Sequence, residues 1–182
     1  MTRWLILLYA VALPTIASAF DSSSDVTDVI SSGDWQIIEF AAKTQLTYRI
    51  SAESKNAGKT YIVFDFIPVN KCEPTPAVMI VQQAYNPYLK DGFIPLDYKI
   101  HGQKKGVDLA KTVMEHGDPF AFYQFHNLTA KWLLSPHDRG NLAIWIPASG
   151  DGSIKRSDNI YFSLDGYSAA YKKASQLCND NR

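Results

Sequence analysis

Short segments in which polar and apolar side chains alternate recur along most of this chain. Residues 45–53 (QLTYRISAE) carry an apolar side chain at every second position, which is typical of a strand with one buried and one solvated face. Residues 59–69 (KTYIVFDFIPV) are β-branched and aromatic on both faces, which indicates a central strand. Because Asn56-Ala57-Gly58 has turn chemistry, we expect these two segments to form a hairpin.

Similar segments indicate a mainly β fold. Turn residues separate them about every 8–12 positions, so eight or nine short strands are expected in an antiparallel β-sandwich or barrel. Strands do not alternate with helices, which argues against a Rossmann-like domain. Residues 130–134 are ambiguous, and residues 105–114 could form a short helix instead of a strand. Further strands are predicted at 34–40, 77–83, 120–125, 142–147 and 159–164, with weaker candidates at 93–100 and 105–114.

The C-terminal segment follows a different period. Its apolar side chains recur three or four residues apart, which predicts one buried face of an α-helix. Asp165 stands at the expected start, where a carboxylate can cap the helix. The helix is too short to be stable alone and must pack against the sheet. The predicted buried positions are Tyr167, Ala170, Tyr171, Ala174, Leu177 and Cys178.

Residues 1–19 have the organisation of a secretory signal peptide. Arg3 supplies a positive charge, residues 4–13 form an uncharged apolar run, and Ala17-Ser18-Ala19 fits a cleavage site. The alternative, a membrane anchor, is disfavoured because a span needs roughly 20 apolar residues. We therefore expect a periplasmic or secreted protein without stable membrane insertion. Cleavage after Ala19 would leave 163 of the 182 residues, with 34–182 as one β-sandwich-like domain.

The chain contains two cysteines, Cys72 and Cys178. In an oxidising compartment such a pair is most simply a disulfide. It would close a loop of about a hundred residues and stabilise the fold by roughly 4–5 kcal/mol in the chain-entropy model. The alternative is a free reactive thiol at Cys72.

Charge is unevenly distributed along the chain. Lysine and arginine together number 18, as do aspartate and glutamate, which gives no support to a nucleic-acid-binding role based on a basic surface. Residues 21–39, however, contain five acidic residues and no basic one. We expect residues 20–33 to form a flexible acidic arm, with a short strand or a docking arm as the alternative.

Residues with catalytic chemistry form no recognisable motif. His116-Gly117-Asp118 and His137-Asp138 could supply a metal site or an acid–base pair, and a periplasmic hydrolase using the His116–His137 region is the main enzymatic alternative. Nucleophile elbows, phosphate loops and a complete EF-hand pattern are missing from the sequence. No metal or cofactor is therefore predicted, and an enzyme is the less favoured interpretation.

Aromatic residues offer a better candidate site. Most should lie in the core, but Tyr85 and Tyr88 bracket Asn86-Pro87 in a predicted loop between strands. Exposed loop aromatics often anchor protein partners. Tyr85 and Tyr88 are therefore the predicted binding residues, with another protein as the partner.

Two segments resemble a known group of exported bacterial proteins. Gly33-Asp34-Trp35-Gln36-Ile37 resembles the Trp-containing first strand of invasion-associated locus B type proteins, and residues 160–170 (IYFSLDGYSAA) resemble their closing strand and Ala-rich helix. The early cysteine of that group is missing here. The resemblance implies a bacterial envelope protein with a β-sandwich core and transfers no functional site.

These observations favour a non-catalytic binding or interaction protein of the bacterial envelope. A role in virulence, or as an inhibitor or immunity protein, would fit an exported domain of this kind. A subunit of a secretion or surface assembly is a further alternative, which an unpaired edge strand would support.

Overall fold

A computed structural model describes residues 25–41, 45–81, 92–102, 104–113, 120–134, 140–145 and 159–182. They form ten strands, two 3₁₀ helices at Pro68–Asn70 and Ala130–Leu133, and a helix α1 at Tyr167–Asp180. The predicted mainly β fold with a C-terminal helix is thus confirmed. The predicted signal peptide lies outside the described residues. The strands are β1 Asp25–Ser32, β2 Trp35–Ala41, β3 Leu46–Glu53, β4 Thr60–Phe66, β5 Thr75–Val81, β6 Gly92–Ile100, β7 Lys104–Val113, β8 Phe120–Gln124, β9 Asn141–Trp145 and β10 Ile160–Ser163.

All ladders between these strands are antiparallel. They connect in the order β1-β2-β3-β4-β5-β8-β7-β6-β9-β10. The strands lie in two layers. Within the described ranges no ladder joins β1 to β10, so the order does not close into a barrel. The end of the order nevertheless approaches the β3–β4 turn, because the Tyr161 carbonyl accepts the Lys55 N–H at 2.8 Å.

One main core is shared by strands from both ends of this order. Trp35 from β2 and Phe64 from β4 are completely buried, as are Leu96 from β6 and Phe162 from β10. Burying these large side chains is the main stabilising contribution to the fold. The solvated face predicted for residues 45–53 is wrong at two positions, because Arg49 and Ser51 of β3 are buried as well.

Helix α1 covers one side of this core. Four predicted positions are fully buried and two are half-buried, which confirms the predicted helical face; the buried four are Tyr167, Ala170, Ala174 and Cys178. The Tyr167 ring stacks edge-on against Trp35 with centroids 4.8 Å apart, and its hydroxyl donates to the Ala130 carbonyl at 2.8 Å. Burial accordingly raises the pKa of Tyr167 far above its usual value.

The predicted cap at Asp165 is wrong. Gly166 occupies the N-cap with φ +81°, and no side chain caps the helix. The Asp165 carboxylate precedes the cap by one residue. Asp165 instead acts through its backbone, whose carbonyl accepts the Asp34 N–H at 3.1 Å.

A close backbone crossing joins the two segments that carried the family resemblance. A Cβ on Gly33 would lie 2.7 Å from the Asp165 oxygen, and one on Gly166 would overlap the Ser32 carbonyl. Both residues have positive φ, which favours glycine. The Trp35 indole donates to the Ser163 carbonyl at 3.0 Å across the same crossing. These motif residues therefore form a structural junction between the β1–β2 turn and the start of α1.

The predicted disulfide is present. Cys72 and Cys178 are bonded, with Cα atoms 5.9 Å apart and 106 positions apart in sequence. It ties the last turn of α1 to the segment that follows the first 3₁₀ helix, so the C-terminus is clamped to the first half of the chain.

Of the alternatives for residues 20–33, residues 25–32 follow the short strand. They form β1, which pairs with β2 through a two-residue turn at Gly33-Asp34. The polar composition concealed this strand because its apolar side chains are few. Val26, Val29 and Ile30 are nonetheless half-buried, the first two against Ile38 and Phe40 of β2.

Candidate binding surface

The β6–β7 hairpin has the longest regular pairing in the described chain. Nine residue pairs run from Gly92↔Thr112 to Ile100↔Lys104. On β6, Leu96 and Ile100 point into the core, whereas Phe93 and Asp97 point outward. The alternation of side chains along a strand therefore places a second set of residues on the outer side.

This outer side carries two exposed apolar side chains. Phe93 is 63% exposed and Val107 is 64% exposed. Phe93 pairs with Lys111, and Val107 pairs with Asp97, so all four side chains lie on the same face of the hairpin. The two pairs are four positions apart along β6, a distance of roughly 14 Å at about 3.4 Å per residue.

Trp145 and Pro95 extend this face. Trp145 of β9 pairs with Asp97 on its other side and is half-buried, and Pro95 lies between Phe93 and Asp97 and is exposed. We define the β6–β7 face as Phe93, Pro95, Val107 and Trp145 together with the charged Asp97 and Lys111. It combines two aromatic side chains, aliphatic surface and one charge of each sign.

A buried carboxylate fixes the hairpin beneath this face. Asp108 is 1% exposed, and its two oxygens accept the backbone N–H groups of His126, Asn127 and Leu128 at distances from 2.5 to 3.0 Å. Three consecutive N–H groups aimed at one carboxylate hold β7 against the segment after β8. Desolvation of a charge is tolerated here because the carboxylate is fully hydrogen-bonded.

Tyr98 packs over the hairpin on the core side. A Cβ on its partner Gly106 would overlap the Tyr98 ring, so glycine makes room for the aromatic side chain. Burial, and secondarily the negative charge of Asp108, raises the pKa of the Tyr98 phenol. The hairpin is thus anchored on one side and presents the β6–β7 face on the other.

The other prominent polar contact serves the sheet. Arg49 of β3 donates to both carboxylate oxygens of Asp65 on β4, at 2.6 and 2.7 Å, and its guanidinium lies 5.2 Å from the centre of the Phe40 ring. These residues occupy neighbouring strands in register. A bidentate pair of this kind connects β3 to β4.

The sequence-predicted site residues are mostly outside the described ranges. Tyr85 and Tyr88 fall in 82–91, and His116 and His137 fall in 114–119 and 135–139, so their roles stay predictions. In the part of the chain that the structure describes, no group of three His, Cys, Asp or Glu residues could hold a metal ion. No helix in that part is long and apolar enough to cross a membrane.

Sequence reasoning missed Phe93 and Val107 as candidate binding residues. Residues 93–100 and 105–114 were predicted only as weak strands, and one-sided exposure is not visible without the pairing. The available signal was the alternation Phe93, Pro95, Asp97 against Leu96, Tyr98, Ile100, which the structure shows to be the outer and core sets of β6.

Comparison with known proteins supports the fold. No family model matches this chain, and no curated protein sequence matches it. Among solved structures, it is similar to the crystal structure of invasion associated protein B from Bartonella henselae, with a TM-score of 0.54 and 12% sequence identity. The match covers 85% of this chain and 99% of that chain. The resemblance inferred from the two short segments is therefore confirmed at the level of the fold.

Proposed function

We propose that this chain is an exported, non-catalytic binding protein of the bacterial envelope, and that it binds a partner protein through the β6–β7 face. The observation that supports this most strongly is the exposure of Phe93 and Val107 on a regularly paired hairpin. Exposed apolar groups on ordered strands lose little conformational entropy on binding, so they favour association.

Three further features support export and an envelope role. The disulfide is stable in oxidising compartments such as the periplasm or extracellular space. The N-terminal sequence has the pattern of a cleaved signal peptide. The fold is similar to that of a protein described as invasion associated, which supports a virulence-related role.

Quantitative affinity purification from the native envelope tests this proposal. The double variant Phe93→Ser/Val107→Ser removes the two most exposed apolar groups of the face. Burying each of them in an interface would contribute about 1–2 kcal/mol, so we expect recovery of the partner to fall about tenfold or more.

Val69→Ser is the matched control. Val69 is 76% exposed on the first 3₁₀ helix, in the connection between β4 and β5, so its variant should recover the partner as the unmodified protein does. Equal recovery by all three proteins, with each one folded, would contradict the proposed surface.

A further inference from the structure

We propose that the open edge of β1 binds an extended, basic segment of another protein as an additional antiparallel or parallel strand. This site is distinct from the β6–β7 face, since β1 and β6 stand at different places in the strand order. Strand addition of this type uses main-chain hydrogen bonds for affinity and side-chain contacts for selectivity.

The first support is the position of β1. It stands at one end of the strand order, and among the described residues it pairs with β2 alone. One row of its backbone groups therefore faces away from the sheet. Edges of this kind are templates for a further strand.

The register identifies which backbone groups face outward. The two-residue turn makes Ser32↔Trp35 the first hydrogen-bonded pair. Hydrogen-bonded pairs alternate along an antiparallel ladder, so Ile30↔Ile37 is the next one. The N–H and C=O groups of Val29 and Ser31 therefore point to the open side. An independent contact agrees, because the Val29 N–H donates to the Asp28 carboxylate at 2.8 Å and not to β2.

The regular part of the edge has a limited length. The only irregularity in the β1–β2 register falls between Val26 and Asp28, where the Thr27 hydroxyl donates to the Glu39 carboxylate at 2.7 Å. Residues 28–32 continue in regular pairing. Such a bulge discourages long edge-to-edge pairing, so the site fits a short segment.

Charge selects the partner. Residues 21–39 contain five acidic residues and no lysine or arginine. Asp34 is already paired with Lys55 at 2.7 Å, whereas the Asp28 carboxylate is bound along the open edge by the Val29 N–H. When the carbonyl of an incoming strand takes the Val29 N–H, the Asp28 carboxylate is released to pair with a basic side chain on that strand. Two copies of β1 would instead place acidic strands side by side, which is unfavourable.

To test this proposal, the folded, disulfide-bonded protein is titrated with a capped hexapeptide of alternating lysine and valine. Binding is monitored by NMR of the backbone amides. We expect the largest shifts at Val29 and Ser31. A peptide of the same sequence with alternate N-methylated amides should bind about tenfold more weakly or not at all, because it cannot complete the edge hydrogen bonds. A glutamate–valine hexapeptide should not bind, and added salt should weaken the lysine peptide.

Two variants at one exposed position separate backbone from side-chain effects. Ser31→Pro removes the outward N–H and leaves the β1–β2 hydrogen bonds in place, whereas Ser31→Ala keeps that N–H. We expect the proline variant to lose at least about tenfold in peptide affinity and the alanine variant to bind normally. Asp28→Asn keeps an acceptor for the Val29 N–H and should reduce the salt dependence of binding.

Several results would overturn this proposal. Equal binding of the N-methylated and unmodified peptides would show that the edge hydrogen bonds play no part. Unchanged binding by a folded Ser31→Pro variant would do the same. Concentration-dependent dimerisation that protects the Val29 and Ser31 amides would identify a second copy as the occupant in place of a basic partner.

Discussion

The junction between the β1–β2 turn and α1 makes Gly166→Ala the most informative stability variant. Gly166 has φ +81°, and a Cβ there would overlap the Ser32 carbonyl oxygen and lie 2.9 Å from the Gly33 nitrogen. The left-handed backbone costs alanine about 1–2 kcal/mol, and displacing a packed backbone costs about 1–3 kcal/mol. Reduced entropy of the unfolded chain offsets about 0.5–1 kcal/mol. We therefore expect a net loss of about 3 kcal/mol.

Urea unfolding of the oxidised protein measures this loss. At a typical slope of about 2 kcal/mol per molar urea, the midpoint should fall by about 1.5 M. Gly58→Ala is the matched control, since a Cβ at Gly58 meets nothing within 4 Å, and it should change the free energy of unfolding by less than about 0.5 kcal/mol. A Gly166→Ala variant as stable as the Gly58→Ala variant would refute the close crossing.

Three further perturbations test other contacts. Asp108→Asn places an amide donor against backbone N–H donors and should lower the free energy of unfolding by about 3 kcal/mol in urea titrations. The Cys72→Ser/Cys178→Ser variant should lose up to about 4–5 kcal/mol by the same measurement, according to the chain-entropy model. The hydrogen bond from Lys55 lowers the pKa of Asp34, so this pair stabilises the fold above about pH 4 and loses its effect as pH falls further. Asp34→Asn should therefore show a smaller loss of stability between neutral and acid pH than the unmodified protein.

Each of these perturbations has a control or a contrary outcome. Asp97→Asn, on the exposed side of the same hairpin, should leave stability within about 0.5 kcal/mol, and an equal loss there would show that Asp108 has no special role. A cysteine-free protein as stable as the oxidised one would contradict the clamping of α1. An unchanged pH profile in Asp34→Asn would show that the Asp34–Lys55 pair contributes nothing to folding.

Local patterns predicted much of the fold because they report burial directly. The dense β-branched run predicted β4, and the helical period predicted the buried face of α1. The alternation in residues 45–53 predicted that β3 exists, but Arg49 and Ser51 on its predicted solvated face are buried. The disulfide was predictable because only Cys72 and Cys178 are available in the chain. The strand order was not predictable, since β5 pairs with β8 and β6 with β9 through contacts distant in sequence.

The errors have physical causes. The polar composition of residues 20–33 favours a flexible arm over the alternative short strand because Asp is a poor strand former, yet pairing with β2 supplies the missing stability. Asp165 was assigned as a cap because it is the only acidic residue at the expected boundary, whereas the crossing with Ser32 requires glycine at the cap itself. Phe93 and Val107 were not selected because a sequence cannot show which apolar side chains remain exposed once two weak strands pair.

Site-specific photo-crosslinking tests the proposed function most directly. A photoreactive amino acid at position 93, in cells that export the protein, should form a discrete adduct with a partner protein. Val107→Lys should abolish that adduct, since it places a charge elsewhere on the same face. The same photoreactive group at position 69 should form none. Adducts at 69 as abundant as those at 93, or an adduct at 93 that persists in Val107→Lys, would contradict binding through the β6–β7 face.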